Sequence, residues 1–331
     1  MDTLLKEQKA LSSAKLLELF EIQLEKNKIN AASEELTGAA NHILSTGGKR
    51  IRPMLLMHCG QMFGAEAQNL IPAAMAVELY HNSTLIHDDI MDAADVRRGV
   101  EATHLRYGIN TAINAGNLLT SLAFQSLLKY EGYTYRQLIG QFNEVTIQVI
   151  EGQSMDMDFE TRKQVTKQEY LKMIAWKTSV LLAASAAMGA IVAGASSENI
   201  RKIYDFGLNL GISFQLKDDY LDAFGDMESF GKKRGGDILR NKKTLLLIEA
   251  QHRADKADRE ILMQLENSDD AEQKVKQTLE IFELSGAKSA VESEMENYYN
   301  RAVTALEGVS LDLENKQALF GLAESVYNRK Y

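Results

Sequence analysis

The chain has 331 residues, 45% of them hydrophobic and 25% charged, and carries a net charge of -9. That is enough apolar material for a large core, and the negative balance argues against a nucleic-acid-binding surface. A single cysteine, Cys59, excludes an intramolecular disulfide, and two prolines among abundant Ala, Leu, Met, Glu, Lys and Gln favour long helices over sheets, so the expected class is all-α.

Leu4, Leu5, Leu11, Leu16, Leu19 and Phe20 fall at amphipathic spacing on a polar background and predict N-terminal helices. The first residues lack a positive region followed by an apolar core, so a cytoplasmic protein is expected. Gly47-Gly48 interrupts the pattern; past Pro53 a helix resumes from Met54 to Phe63, Gly64 breaks it, and Pro72 near the start of the next helix opens a run through Asp92. Further helices are predicted over 111–131, 137–160, 167–194, 198–224, 243–252, 270–285, 287–307 and 312–328. The apolar stretch 180–195 is short and rich in Ala and Gly, which predicts a buried core helix rather than a membrane span. Trp176 and the methionines are expected in the core. Strand alternation never persists, and no linker divides the chain, so one domain over 1–331 is expected.

Two acidic clusters stand out in that helical background: Asp88-Asp89-Ile90-Met91-Asp92 and Asp218-Asp219-Tyr220-Leu221-Asp222. In a helix, residues four apart share a face, so Asp88 lies above Asp92 and Asp218 above Asp222, with Asp89 and Asp219 beside them. Like charges so placed destabilise an isolated helix by a few tenths of a kcal/mol. Repeating that arrangement inside apolar runs makes physical sense if a divalent cation neutralises it, and hard oxygen donors without thiolate or imidazole neighbours point to Mg²⁺.

Cations accompany the acids. Gly47-Gly48-Lys49-Arg50-Ile51-Arg52-Pro53 puts three in a Gly-started turn that suits a diphosphate, though it is not a Walker loop. Arg97-Arg98-Gly99 comes after the first cluster, and Gly231-Lys232-Lys233-Arg234-Gly235-Gly236-Asp237 with Lys242 after the second.

Together with Leu85-Ile86-His87 before the first cluster, Gly152-Gln153 with Asp156, Lys177-Thr178, and Phe214-Gln215 before the second, these motifs resemble the trans-type isoprenyl diphosphate synthases, or polyprenyl synthetases, in order and spacing over nearly the whole chain. The resemblance implies a helical bundle of the isoprenoid synthase type whose core helices surround a deep central cavity, usually as a homodimer. It also implies a Mg²⁺-dependent prenyltransferase joining isopentenyl diphosphate to an allylic diphosphate. Carried over residue by residue, it implies metal binding by Asp88 and Asp92 on one side of the cavity and Asp218 on the other. Asp89, Asp219 and Asp222 complete those motifs. Lys49, Arg52, His81 and Arg98 match the isopentenyl diphosphate site, and Arg97, Lys177, Thr178, Gln215, Lys232 and Lys242 the allylic site, with Lys177, Thr178 and Gln215 near the reacting carbon. Gly116-Asn117 and Ala102 depart from the family's usual Gly-Asp and Pro.

A class I terpene cyclase shares the implied fold, but its second metal motif carries Ser or Thr and then Glu where Asp222 and Asp226 stand here. A non-catalytic subunit of a heteromeric synthase is disfavoured by two intact Asp clusters. Large aromatics four and five residues before the first Asp shorten the product in the family. Here Thr84 and Ser83 occupy those positions, and Tyr80 is the first bulky side chain deeper on the helix. A helical wheel alone favours Thr84 and Val77; the resemblance brings in Ser83. The expected product is longer than farnesyl diphosphate, with geranylgeranyl diphosphate the first choice and a longer polyprenyl diphosphate the second.

Overall fold

A computed structural model describes residues 13–225 and 235–329. They are almost entirely helical: α1 (Ser13–Lys26), α2 (Glu34–Ser45), α3 (Ile51–Met62), α4 (Ala67–Met91), α5 (Thr103–Tyr107), α6 (Ile109–Leu127), α7 (Gly132–Thr161), α8 (Lys167–Ile174), a π-helical turn (Ala175–Ser179), α9 (Val180–Val192), α10 (Ser197–Phe224), α11 (Gly236–Leu239), α12 (Leu245–Arg253), α13 (Lys256–Leu265), α14 (Ala271–Leu284), α15 (Ala287–Glu307) and α16 (Leu313–Tyr327). Two departures from the sequence expectation are small. Val96–Arg97 pairs antiparallel with Val100–Glu101 in a tiny hairpin, and α13 lies in a stretch where no helix was expected.

Two compact units compose the chain, one within Met1–Asn143 and Ala184–Arg201, the other within Glu144–Ala183 and Lys202–Tyr331. In the first, α4 packs against α6 and α3. It is apolar all round, with Leu70, Met75, Val77, Tyr80 and Ile86 all buried, as expected of a helix enclosed on every side. Pro72 lies near its start, as expected, but past the first turn, where a proline removes a ladder hydrogen bond. The Tyr130 hydroxyl repairs the ladder: it accepts from the Ala73 amide at 3.2 Å and donates to the Asn69 carbonyl at 2.6 Å.

The second unit gathers its core from Tyr170, Ile212, Leu216, Leu245, Phe282 and Val291. Thr166 and Glu169 form a reciprocal capping box that starts α8, and three elements later α10 carries the second acidic cluster at its C-terminal end. By length and composition, Lys167–Val192 could cross a membrane, so shortness did not exclude a span; 78% of its apolar window is buried, as a core helix requires. Trp176 corrects the expectation in the other direction. It is half-exposed in the π turn, with the Lys172 ammonium 4.0 Å above its ring.

Within the first unit, α9 lies so close to α3 that a Cβ on Gly189 would fall 2.1 Å from the Leu56 carbonyl oxygen, a backbone atom that cannot swing aside. Gly189→Ala is therefore expected to cost roughly 1–3 kcal/mol as overpacking. A thermal or denaturant unfolding midpoint equal to that of the parent chain would contradict this packing.

Candidate active site

The first acidic cluster closes α4: the Asp92 amide donates to the Asp88 carbonyl at 2.8 Å and Asp92 forms the C-cap. Its three carboxylates have different surroundings. Asp89 is buried, and its Oδ1 accepts from Arg97 Nε at 2.8 Å and also from Arg97 Nη2. Its Oδ2 is buried with no hydrogen-bond partner. Asp88 is half-buried, 3.8 Å from the same guanidinium, and Asp92 is exposed. Arg97 thus straps the middle acid while the outer pair faces outward.

In the second cluster all three acids have protein partners. Both oxygens of Asp219 are held, Oδ2 by the Tyr170 hydroxyl at 2.5 Å and Oδ1 by Gln215 Nε2 at 2.9 Å. Burial and the neighbouring Asp237 charge push the Asp219 carboxyl up, to about 7, against the opposing pull of the Tyr170 and Gln215 hydrogen bonds and the Lys242 charge. Asp222 Oδ2 accepts the Asp237 amide at 2.8 Å. Asp218 is paired with Arg329, whose Nη2 also donates to the Phe214 carbonyl at 2.9 Å and whose guanidinium lies 3.8 Å from the Phe214 ring centre. Sequence reading missed Arg329 and Tyr170: nothing local marks a residue 111 positions from Asp218 or 49 from Asp219 as its partner.

Among the described residues no group of three or more His, Cys, Asp or Glu side chains is gathered for a metal. The donors the two clusters present are hard carboxylate oxygens, of the kind that hold Mg²⁺ through one or two carboxylates beside waters and substrate phosphates.

The cations of the first unit divide into two roles. Arg50, one of the three expected to face a diphosphate, turns inward instead: at the left-handed N-cap of α3 (φ 46°) it donates to Glu78 at 2.5 Å, Glu21 at 2.8 Å and the Leu44 carbonyl at 3.2 Å. It is a buried structural ion. Arg52 Nη1 lies 3.2 Å from His81 Nε2. Burial, with Arg52, Arg98, Arg97 and Arg50 around it, holds the His81 imidazole well below its usual value, so the ring is neutral and Nε2 accepts from Arg52. Arg98 donates through Nη1 to the Gly47 carbonyl, and lies near Thr46 Oγ1 at 3.2 Å and Asn82 Oδ1 at 3.4 Å. Gly48, at φ 136°, lies against that guanidinium, where a Cβ would come 3.0 Å from its central carbon. Lys49 is exposed in the same turn. Arg52, His81 and Arg98 are thus brought together, and Lys49 lies in the turn that Arg98 contacts at Gly47 and Gly48.

In the second unit, Lys177 Nζ donates to Asp156 Oδ2 at 2.5 Å, and Thr178 Oγ1 donates to Gln215 Oε1 at 3.1 Å. A continuous chain of hydrogen bonds runs from Thr178 through Gln215 and Asp219 to Tyr170. The Lys242 amide donates to the Asp237 carbonyl at 2.9 Å. Lys232 and Asp226 lie outside the described residues.

The three chain-length positions do not share one environment. Tyr80 is buried edge-on against Phe142, with ring centres 5.6 Å apart, and Phe142 meets Phe124 at 5.0 Å. Thr84 is half-buried and donates to the His81 carbonyl at 2.8 Å. Ser83 is buried with its hydroxyl 2.7 Å from that of Thr120 on α6.

Paired acidic helix ends with cations beside them, on an all-α scaffold, define a diphosphate-handling class, and comparison with known proteins is specific. The polyprenyl synthetase family profile matches residues 33–282. The chain is 45% identical over 227 residues to a protein of Methanosarcina mazei named geranylgeranyl diphosphate synthase, covering 68% of this chain and 70% of that one. It is 38% identical over 305 residues to one of Aeropyrum pernix named geranylfarnesyl diphosphate synthase, covering 89% and 95%. A solved structure titled as a geranylgeranyl pyrophosphate synthase superposes with a TM-score of 0.92 at 39% identity, over 97% of this chain and all of that one. The chain belongs to the polyprenyl synthetase family.

Proposed function

We propose that this protein is a trans-prenyltransferase that condenses isopentenyl diphosphate with an allylic diphosphate and releases a product longer than farnesyl diphosphate, with geranylgeranyl diphosphate as the first choice. The observation that carries this reading is the repeated acidic cluster with its middle carboxylate held by protein donors, each cluster having its own cations. The acids and their metal serve the allylic diphosphate, and the separate group of Arg52, His81 and Arg98 with the Gly47-Gly48 turn is a second diphosphate site that a class I terpene cyclase does not need. The names of the relatives support a product beyond farnesyl diphosphate.

In this reading Lys49, Arg52, His81 and Arg98 bind isopentenyl diphosphate, and Arg97, Lys177, Thr178, Gln215, Lys232 and Lys242 bind the allylic diphosphate. Asp88, Asp92 and Asp218 hold Mg²⁺, with Asp89, Asp219 and Asp222 orienting them. When bound, Mg²⁺ supplies charge neutralisation to the diphosphate that departs from the allylic carbon. Lys177 contributes a fixed positive charge to the same leaving group, worth more in a site that excludes water. Neutral His81, accepting from Arg52, fixes the guanidinium for the second diphosphate without adding a further charge. The double bond of isopentenyl diphosphate attacks the allylic carbon, and loss of a proton leaves a product one isoprene unit longer. No protein nucleophile is required, and the released diphosphate is the proposed base.

A single functional domain in the cytoplasm, without nucleic-acid partners or a membrane span, completes the proposal. Ile147, Ile150 and Met157 are exposed on one face of α7, which a second copy of the chain would cover in a homodimer.

The purified chain with labelled isopentenyl diphosphate and an allylic diphosphate tests the activity. Turnover should vanish in excess chelator and return with Mg²⁺, and Asp88→Ala or Asp218→Ala should lower kcat by about 10²-fold or more while the fold survives. Full activity in chelator would sink the mechanism.

The two diphosphate sites should separate kinetically. Loss of a charge-assisted hydrogen bond, roughly 1.5–3 kcal/mol, raises KM by about 10- to 100-fold. Arg52→Ala should do so for isopentenyl diphosphate and Lys242→Ala for the allylic substrate; equal effects of both variants on both substrates would refute the division.

Product length should respond to the α4 side chains. One helical turn rises about 5.4 Å, comparable with one isoprene unit. Tyr80→Ala should lengthen the product and Thr84→Phe should shorten it, read by chromatography of the dephosphorylated alcohols. Farnesol as the sole end product of the parent chain would overturn the size argument.

A further inference from the structure

Two glycines flank the π turn that carries Lys177 and Thr178, one on each neighbouring helix. A Cβ on Gly152 of α7 would fall 2.3 Å from the Lys177 amide nitrogen and 2.7 Å from the Trp176 carbonyl carbon. A Cβ on Gly211 of α10 would fall 2.7 Å from both Cα and Cβ of Ser179. These are backbone or near-backbone atoms, so neither helix could keep its place with even a methyl group added.

Each glycine also has a functional partner one helical turn further along its own helix. Asp156, four residues after Gly152, accepts from Lys177 Nζ at 2.5 Å. Gln215, four residues after Gly211, accepts from Thr178 Oγ1 at 3.1 Å. The same face of each helix therefore seats the turn's backbone with a glycine and holds its side chain with a polar residue. The turn needs such seating. Its Val180 amide reaches back five residues to the Ala175 carbonyl, and the Ser179 hydroxyl donates to the Ile174 carbonyl at 3.2 Å. A π turn is a rare backbone state that persists only where its surroundings demand it.

We infer that Gly152 and Gly211 are positioning residues for the condensation: by permitting backbone contact on both sides they hold the π turn so that Lys177 and Thr178 project toward the allylic substrate. This rests on the proposed roles of Lys177 and Thr178. The effect acts on geometry, where a displacement of about 1 Å costs about 10²-fold in rate.

Gly207 supplies a matched control. It lies on α10 one turn before Gly211, and a Cβ there would fall 2.7 Å from the Ala183 Cα, an equally tight approach to the plain helix beyond the π turn. Gly152→Ala, Gly211→Ala and Gly207→Ala should lower the unfolding midpoint by similar amounts. The first two should also lower kcat by about 10²-fold, with KM for isopentenyl diphosphate within about threefold of the parent, whereas Gly207→Ala should keep kcat within about threefold. Equal loss of kcat in all three variants, or loss that tracks the midpoint, would overturn the inference by making the glycines mere packing. Should both glycine variants fail to fold, Asp156→Ala decides: it removes the acceptor by which the Gly152 face of α7 holds Lys177, and an unchanged kcat overturns the inference. Lys177→Ala with unchanged kcat would instead refute the proposed site, while a Lys177 effect without a glycine effect refutes only the positioning role.

Discussion

Three carboxylates within one helical turn repel one another, and that repulsion, repeated on α4 and α10, is the constraint that the surrounding residues answer. On an exposed helix such repulsion costs a few tenths of a kcal/mol, but Asp89 is fully buried, where charges are screened far less and the acid cannot be left to solvent. The protein meets it by immobilising the middle acid. Arg97 takes Asp89, Tyr170 and Gln215 take Asp219, and Arg329 and the Asp237 amide take Asp218 and Asp222. Different donors reach the same result on two helices. The first brace is a cation, and the second is neutral and leaves Asp219 with a raised affinity for protons.

The distribution of cations follows from the same economy of charge. Arg50 and Arg52 are two residues apart and chemically identical, yet Arg50 is enclosed by Glu78 and Glu21 while Arg52 meets a neutral imidazole. Arg50 is the left-handed N-cap of α3 while Arg52 lies in its first turn, so one guanidinium enters the core and the other meets His81. Burying an ion is tolerable only with opposite charge and hydrogen bonds, and Glu78, itself buried on α4, supplies both. The pair therefore ties the start of α3 to the helix that carries the first acidic cluster.

Packing and chemistry meet again at the π turn. A regular helix would place Lys177, Thr178 and Ser179 at 100° steps on one continuous spiral; the wider turn shifts their register against α7 and α10. Asp156 and Gln215 then hold Lys177 and Thr178. Gln215 also bonds Asp219, so the turn and the second acidic cluster are parts of one hydrogen-bonded assembly.

Much of this was legible in the order of residues. Among the described residues, which leave out Leu4, Leu5 and Leu11, the helices predicted from amphipathic spacing and glycine breaks appear within a few residues of their observed ends, and the placement of the first acidic cluster at the end of a long helix follows from a rule that spans only four residues. The same local rule pairs Asp88 with Asp92 and Asp218 with Asp222. Motif order supplied the family. Tertiary structure decided what depends on partners far along the chain: that Arg50 is structural, that Trp176 leaves the core, that Ser83 bonds Thr120, that Tyr130 repairs the ladder at Pro72, and that Arg329 reaches Asp218. Helical periodicity is written in neighbouring residues because backbone hydrogen bonds span four positions, whereas burial and ion pairing are set by whichever side chains the packed helices bring together.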